Sequence, residues 1–228
     1  MTTKNILVED DLITNPTPRV PVCLCLDTSG SMGGSMGKSP IDELNEGVRA
    51  FIQSVLDDDT AKNSAEIAIV TFGGDIQVPM EFGSVTSVEA PSLGACGGTP
   101  MGEAVEVALE KLAKRKSDYA NAGVDYFQPW LVLMTDGAPT DDIEKATRQV
   151  AELVERRKLS VFAIGIGESA DMNILAKFSP NRPPLRLKGL EFPAFFEWLS
   201  KSVSQVSNSV PGQAVQLNVQ GIAAWGTP

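Results

Sequence analysis

The chain has 228 residues, with 19 Lys+Arg against 29 Asp+Glu and no histidine, a formal charge of −10. Its 43% apolar and 21% charged residues suit one soluble globular domain and exclude the disordered, collagenous and disulfide-dense classes. The acidic balance argues against a general nucleic-acid or anionic-membrane binder, since both need a basic field. The missing histidine removes His-dependent triads, Cys/His dyads and His-ligated zinc sites.

In chain order, residues 1–18 read as a flexible, polar N-terminal segment with an acidic Glu9-Asp10-Asp11 run and none of the basic and apolar parts of a signal peptide. No run approaches the ~20 apolar residues that span a bilayer, so the expected setting is cytoplasmic, with no membrane contact. Val20 to Leu26 reads as a strand buried on both faces and ends at Asp27. A glycine-rich loop, Asp27 to Lys38, leads to a helix of about Pro40 to Leu56, with Ser39 as N-cap, Pro40 at its first position and Asp42 three residues on. Glu66 to Phe72 is the second strand, and Ile76 to Phe82 its hairpin partner. A second loop, Leu93 to Pro100, opens a helix of about Met101 to Lys116.

Trp130 to Thr135 is the next strand, ending at Asp136. A helix from Asp141 to about Lys158 follows, with Asp141 and Glu144 as its capping pair. Leu159 to Ile166 is another buried strand. A short helix at Met172 to Phe178, a strand at Leu185 to Leu187 and a helix over Pro193 to Val206 complete a body spanning 19–209. The tail, 210–228, has no clear period; it either packs on the body or serves as a partner-binding arm, and Trp225 decides which. Strand and helix alternate, which implies an α/β fold: a doubly wound, mostly parallel sheet of about six strands with helices on both faces. Cys23 and Cys25 lie two apart in one strand, too far to bridge, and read as core residues. Cys96, in a loop, is the one candidate reactive thiol. Asp57-Asp58-Asp59 reads as a solvated helix end.

Ligands in such sheets bind at the carboxyl ends of strands, and three loops there offer hard oxygen donors. Asp27, Ser29 and Ser31 occupy i, i+2 and i+4 of the first, with Gly30 allowing close approach; Thr99 lies in the second and Asp136 in the third. Two carboxylates plus neutral hydroxyls suit Mg²⁺ better than a soft metal, with Mn²⁺ or Ca²⁺ as alternatives. Singly, Asp27 with Ser29, Asp136-Gly137 and Thr99-Pro100 are ordinary caps and turns. It is their conjunction that points to a metal centre.

These motifs, DTSGSM after a buried strand, then GGTP, then LMTDGAPTD, resemble the von Willebrand factor A domains. In detail they are similar to the bacterial TerY-type proteins associated with tellurium resistance. The resemblance spans about Pro21 to Ser207. It implies a metal-ion-dependent adhesion site in which Ser29, Ser31 and Thr99 contact the ion, while Asp27 and Asp136 bind directly or through water. It further implies an interaction module without catalysis of its own, whose metal takes a carboxylate from a protein partner in a bacterial stress response or tellurite resistance. A protein kinase or a metal-dependent protein phosphatase is the candidate partner. The stretch Gly33 to Lys38 is longer than the usual connection.

Other chemistries fit less well. Gly37-Lys38-Ser39 before a helix suggests a P-loop nucleotide-binding enzyme using Lys38, but the glycine required five positions before Gly37 is Met32. Asp27 as the nucleophile of a Mg²⁺-dependent phosphotransferase lacks the second Asp two residues on, where Ser29 stands. Gly165 to Ala170 matches GxGxxA, but late in the chain, so Gly165 and Gly167 read as packing and turn residues. Ser35 to Lys38 matches SxxK without its companion motifs.

Overall fold

A computed structural model describes residues 12–34, 39–213, 215–217 and 221–227. The acidic Glu9-Asp10-Asp11 run and the Ser35 to Lys38 stretch, with its P-loop and SxxK readings, lie outside the described residues. Strand β1 (Val20–Asp27) is buried along its whole length. Its side chains alternate between two cores: Val20, Val22, Leu24 and Leu26 enter one, Cys23 and Cys25 the other, as the two-residue period of a strand dictates. The strand is therefore apolar up to Asp27, with no polar face to spare.

Around β1 stand β2 (Ala65–Gly73), β3 (Asp75–Met80), β4 (Trp130–Thr135), β5 (Ser160–Ile166), β6 (Leu185–Leu187) and β7 (Gly226–Thr227). They form one sheet in the order β3-β2-β1-β4-β5-β6-β7. The inner neighbours pair in parallel, whereas β3 on β2 and β7 on β6 are antiparallel. Helices α1 (Pro40–Leu56) and α6 (Phe192–Ser207) cover one face. On the other lie α3 (Met101–Ala122), α4 (Glu144–Glu155) and α5 (Met172–Phe178). A short α2 (Ala61–Ser64) precedes β2. Among the described residues no helix is long and apolar enough to cross a membrane.

The capping box expected at the first helix is formed: the Ser39 hydroxyl accepts from the Asp42 amide and the Asp42 carboxylate accepts from Ser39. Two helix boundaries differ from expectation. The third helix runs to Ala122 and stops where Gly123 takes a left-handed conformation, a common helix terminator. The fourth begins at Glu144 and is not capped by Asp141; its N-cap, Ile143, has no side-chain bond. Asp58, in the triple acidic run, holds the amides of Thr60 and Ala61 and accepts from the Ser204 hydroxyl, which ties the end of α1 to α6. These bonds keep its carboxyl below the ordinary value. That residue is structural as well as solvated.

The tail question is settled by Trp225, in the short helix α7 (Ile222–Trp225). Its side chain is fully buried, 4.9 Å from the Phe195 ring and 5.4 Å from Trp198. Its carbonyl accepts from the Lys188 amide, and β7 then pairs with β6. The seventh strand, absent from the six expected, thus comes from the aperiodic tail. Trp225→Ala is expected to destabilise the fold by about 3–5 kcal/mol, the usual loss for a buried Trp; urea denaturation checks it, and a loss below about 1 kcal/mol would mean that the tail is only loosely attached.

Candidate metal centre

Because β1 and β4 are parallel neighbours, their carboxyl ends deliver Asp27 and Asp136 to the same edge of the sheet. Asp27 closes β1, and its Oδ1 accepts from the Ser29 amide at 2.8 Å, a local turn that reverses the chain. A single 3₁₀ turn, Gly30–Gly33, follows with Ser29 at its N-cap. It brings the Ser29 and Ser31 hydroxyls within 3.1 Å of each other. The Ser31 hydroxyl then donates to Asp136 Oδ1 at 2.8 Å. Four of the five residues expected from the sequence therefore form one connected cluster.

Thr99 is positioned by backbone. The second loop is stitched to the first, Gly30 N–H to Gly97 C=O at 3.0 Å and Cys96 N–H to Thr28 C=O at 2.8 Å. The close approach expected at Gly30 falls instead at Gly97. A Cβ on Gly30 would meet Gly97 oxygen at an ordinary 3.5 Å, but on Gly97 it would stand 2.4 Å from Gly74 Cα, with φ at +66°. The Thr99 side chain caps no helix, since α3 has no side-chain N-cap bond. Its hydroxyl makes no hydrogen bond among the described residues and is free to act as a ligand.

Three site-forming residues escape the sequence reading. Thr135, fully buried, donates to Asp27 Oδ2 at 2.5 Å and accepts from the Gly137 amide, so it orients one carboxylate and the turn carrying the other. Thr140 accepts from the Thr99 amide at 3.1 Å and donates its own amide to the Thr99 carbonyl. Asp141 accepts from the amides of Gly102 and Glu103, capping α3 from across the loop where the sequence pattern placed it on α4. The lone local signal was an Asp at the end of a turn. Asp141→Ala is expected to cost about 1–2 kcal/mol, as for other N-cap losses, measured by thermal or urea unfolding; an unchanged midpoint would contradict the cap.

Charge and burial decide what the cluster can hold. Asp27 is fully buried, Asp136 half-buried and Ser31 exposed, so the site has a dry floor and an open mouth. Burial pushes the Asp27 carboxyl above its ordinary value and the nearby Asp136 charge adds to this, while bonds from Ser29 and Thr135 oppose it. Neither carboxylate has an ion pair among the described residues. No cluster of three or more His, Cys, Asp or Glu is assembled there either. The donors are two carboxylates and neutral hydroxyls, all hard oxygens, and the unbalanced negative charge at the floor is what a divalent cation would compensate. The residues fit such an ion.

The remaining sequence candidates find ordinary places. Cys23 and Cys25 are buried and unbridged, with burial pushing Cys23 up to about 12. Cys96 is exposed, and its thiol donates to the Gly73 carbonyl. Gly165 packs so closely that a Cβ would meet Met172 sulfur at 2.7 Å, and Gly167 turns the chain at φ +68°.

A doubly wound sheet carrying two carboxylates and a row of hydroxyls at its carboxyl edge defines an α/β protein with an oxygen-rich cluster at that edge. The chain belongs to the von Willebrand factor type A domain family, whose model matches residues 22–186. No curated protein matches the chain in sequence. Among solved structures, proximal thread matrix protein 1 from the mussel byssus with a zinc-occupied MIDAS motif is 15% identical, with a TM-score of 0.55, over 82% of this chain and 48% of that one. BatB from Bacteroides thetaiotaomicron is 15% identical with a TM-score of 0.55, over 83% of this chain and 100% of that one. Manganese-loaded TRAP from Plasmodium vivax is 22% identical with a TM-score of 0.51, over 73% and 65%. The chain thus spans about half the length of the mussel protein.

Proposed function

We propose that this chain is a metal-gated protein-interaction module in which Asp27, Ser29, Ser31, Thr99 and Asp136 hold Mg²⁺. The observation that carries the reading is the hydrogen-bonded row from Ser29 through Ser31 to Asp136, beside a buried Asp27 that pairs with no basic side chain among the described residues. The bound ion would supply an electrophilic, incompletely neutralised centre, because hydroxyl ligands donate little charge. Ser31 and Asp136 at the open mouth leave room for a partner's carboxylate. Thr135 and Thr140 hold Asp27 and Thr99 in place, so that little rearrangement is needed on binding. Zinc and manganese at the two related structures support a divalent-metal site, and von Willebrand factor A domains are generally interaction modules, which supports binding without turnover.

The finer assignment rests on the motif resemblance to the TerY-type proteins: a cytoplasmic bacterial protein of stress response or tellurite resistance, with a kinase or a metal-dependent phosphatase as partner. Affinity capture from a bacterial lysate in Mg²⁺ and again in chelator, with ATP and phosphoester hydrolysis assayed in parallel, tests this reading. The expected result is a partner retained only with metal, and no turnover. Capture indifferent to chelator, or hydrolysis lost on Asp27→Ala, would overturn it, the latter in favour of a phosphotransferase.

A further inference from the structure

The opposite end of the sheet carries a second charged feature. A groove of about 660 Å³ lies at the amino ends of β4 and β5, floored by Trp130 and Phe162. Three separate elements send cations to it: Lys116 from α3, Arg157 and Lys158 from the turn after α4, and Arg182 from the loop before β6. Among the described residues no aspartate or glutamate lines it, and none of the four cations has an ion pair. In a chain of net charge −10 a concave surface with four cations and no lining acid is locally opposite to the rest of the molecule. Solvated cations on such a protein would ordinarily find acidic neighbours.

Two details show that the cations are placed. The Arg182 guanidinium lies over the Phe162 ring, 4.4 Å from its centroid, which fixes the fork with its edges free to bond. Arg157 is the one non-glycine residue with positive φ among the described residues, at +55°. It closes α4 where the Arg157 and Lys158 amides bond back to Val154 and Leu153, a left-handed position that glycine normally occupies. An arginine held there carries backbone strain, and strain of this kind gathers where function needs it. Burial above all, with a smaller contribution from the Lys158 charge, pushes the Lys116 ammonium below its ordinary value.

We propose that this groove binds a small polyphosphate, with Lys116, Arg157, Lys158 and Arg182 on its phosphate groups. The volume lies in the range of small-ligand sites. Arginine forks and lysine point charges are the usual phosphate donors, and four cations match the charge of a triphosphate. An extended acidic protein segment would need a longer basic track than one groove at one end of the sheet.

Calorimetry on the full chain at low ionic strength, in chelator so that the metal centre contributes nothing, tests the assignment with inorganic triphosphate and ATP as probes. Both should bind. Lys116→Gln with Lys158→Gln should weaken them at least roughly tenfold, the scale of one or two lost charge-assisted contacts. Arg157→Gly should weaken binding about threefold or more, as one such contact, while the melting temperature stays level or rises, because glycine relieves the strained backbone. Asp27→Asn should change nothing. ATP binding more tightly than triphosphate would assign the source as a nucleotide, and equal binding would assign the phosphate chain alone. Absence of binding by both probes, binding unchanged in the double lysine variant and in Arg157→Gly, or a hexaglutamate peptide binding where the phosphates do not, would overturn the proposal.

Discussion

Replacing Asp27 by Asn is expected to lower the affinity for Mg²⁺ by about 100-fold, since cation affinity in oxygen sites follows the ligand charge count. The same change should leave the metal-free protein as stable as before, or more so. Asn is nearly isosteric: its carbonyl can keep the Ser29 amide bond and its amide can donate to the Thr135 hydroxyl, the two partners that Asp27 has now. What disappears is a buried charge that the metal-free fold carries at a disadvantage, as the raised pKa records. Magnesium calorimetry and thermal melts in chelator measure the two halves separately. Undiminished Mg²⁺ binding would remove Asp27 from the site, and a marked loss of stability without metal would show that the carboxylate is structural.

A loss of stability as large as that of Trp225→Ala is expected at a buried ion pair away from the Asp27 cluster. Glu66, at the start of β2 and 1% exposed, accepts from Arg115 through Nε at 2.5 Å and Nη2 at 2.7 Å and from the Tyr119 hydroxyl at 2.7 Å. Arg19 stands 3.3 Å away on its other side, its guanidinium also bonded to the Asn15 and Asn63 carbonyls. Burial and the Glu66 charge push the Tyr119 phenol well above its ordinary value. Glu66→Leu would take away the carboxylate that holds the buried Arg115 guanidinium through two bonds, leaving it the longer contact to Asp118 at 3.8 Å, a loss of about 3–5 kcal/mol. Adding Arg115→Met should recover part of it, because an ion pair removed whole costs less than one cut in half. Urea denaturation of the single and double variants checks this, with Mg²⁺ affinity as a control that should not move. A Glu66→Leu variant within about 1 kcal/mol of the parent would contradict the network's role.

How much of this was legible in the sequence depends on how local each signal is. The inner strands of the sheet follow from apolar runs, β3 from the turn that pairs it with β2, and the Ser39 box from four adjacent residues, because their causes lie within a few positions. The five residues of the proposed metal centre could be picked out because they gather where an apolar strand or a glycine-rich loop ends. Their supports could not. Thr135 reads as the last residue of a strand, and Thr140 as a turn residue, until β4 is laid beside β1 and the loop after it reaches α3. Asp141 has the pattern of a local cap, and only the packing of α4 against α3 sends it to the other helix. Glu66 and Arg115 lie 49 residues apart, and nothing near either announces the pair. The tail strand β7 is two residues long, too short for a period, and exists because Trp225 finds the pocket beside Phe195 and Trp198.

Anomalous diffraction from crystals grown with Mn²⁺ tests the central claim most directly, since the metal can be located without reference to any activity. The account predicts one strong peak at the carboxyl edge of β1 and β4, within bonding reach of the Ser29 and Ser31 hydroxyls and beside Thr99 and Asp136. A peak elsewhere on the chain with none at that edge, or no bound manganese at concentrations that saturate other oxygen-ligand sites, would contradict it.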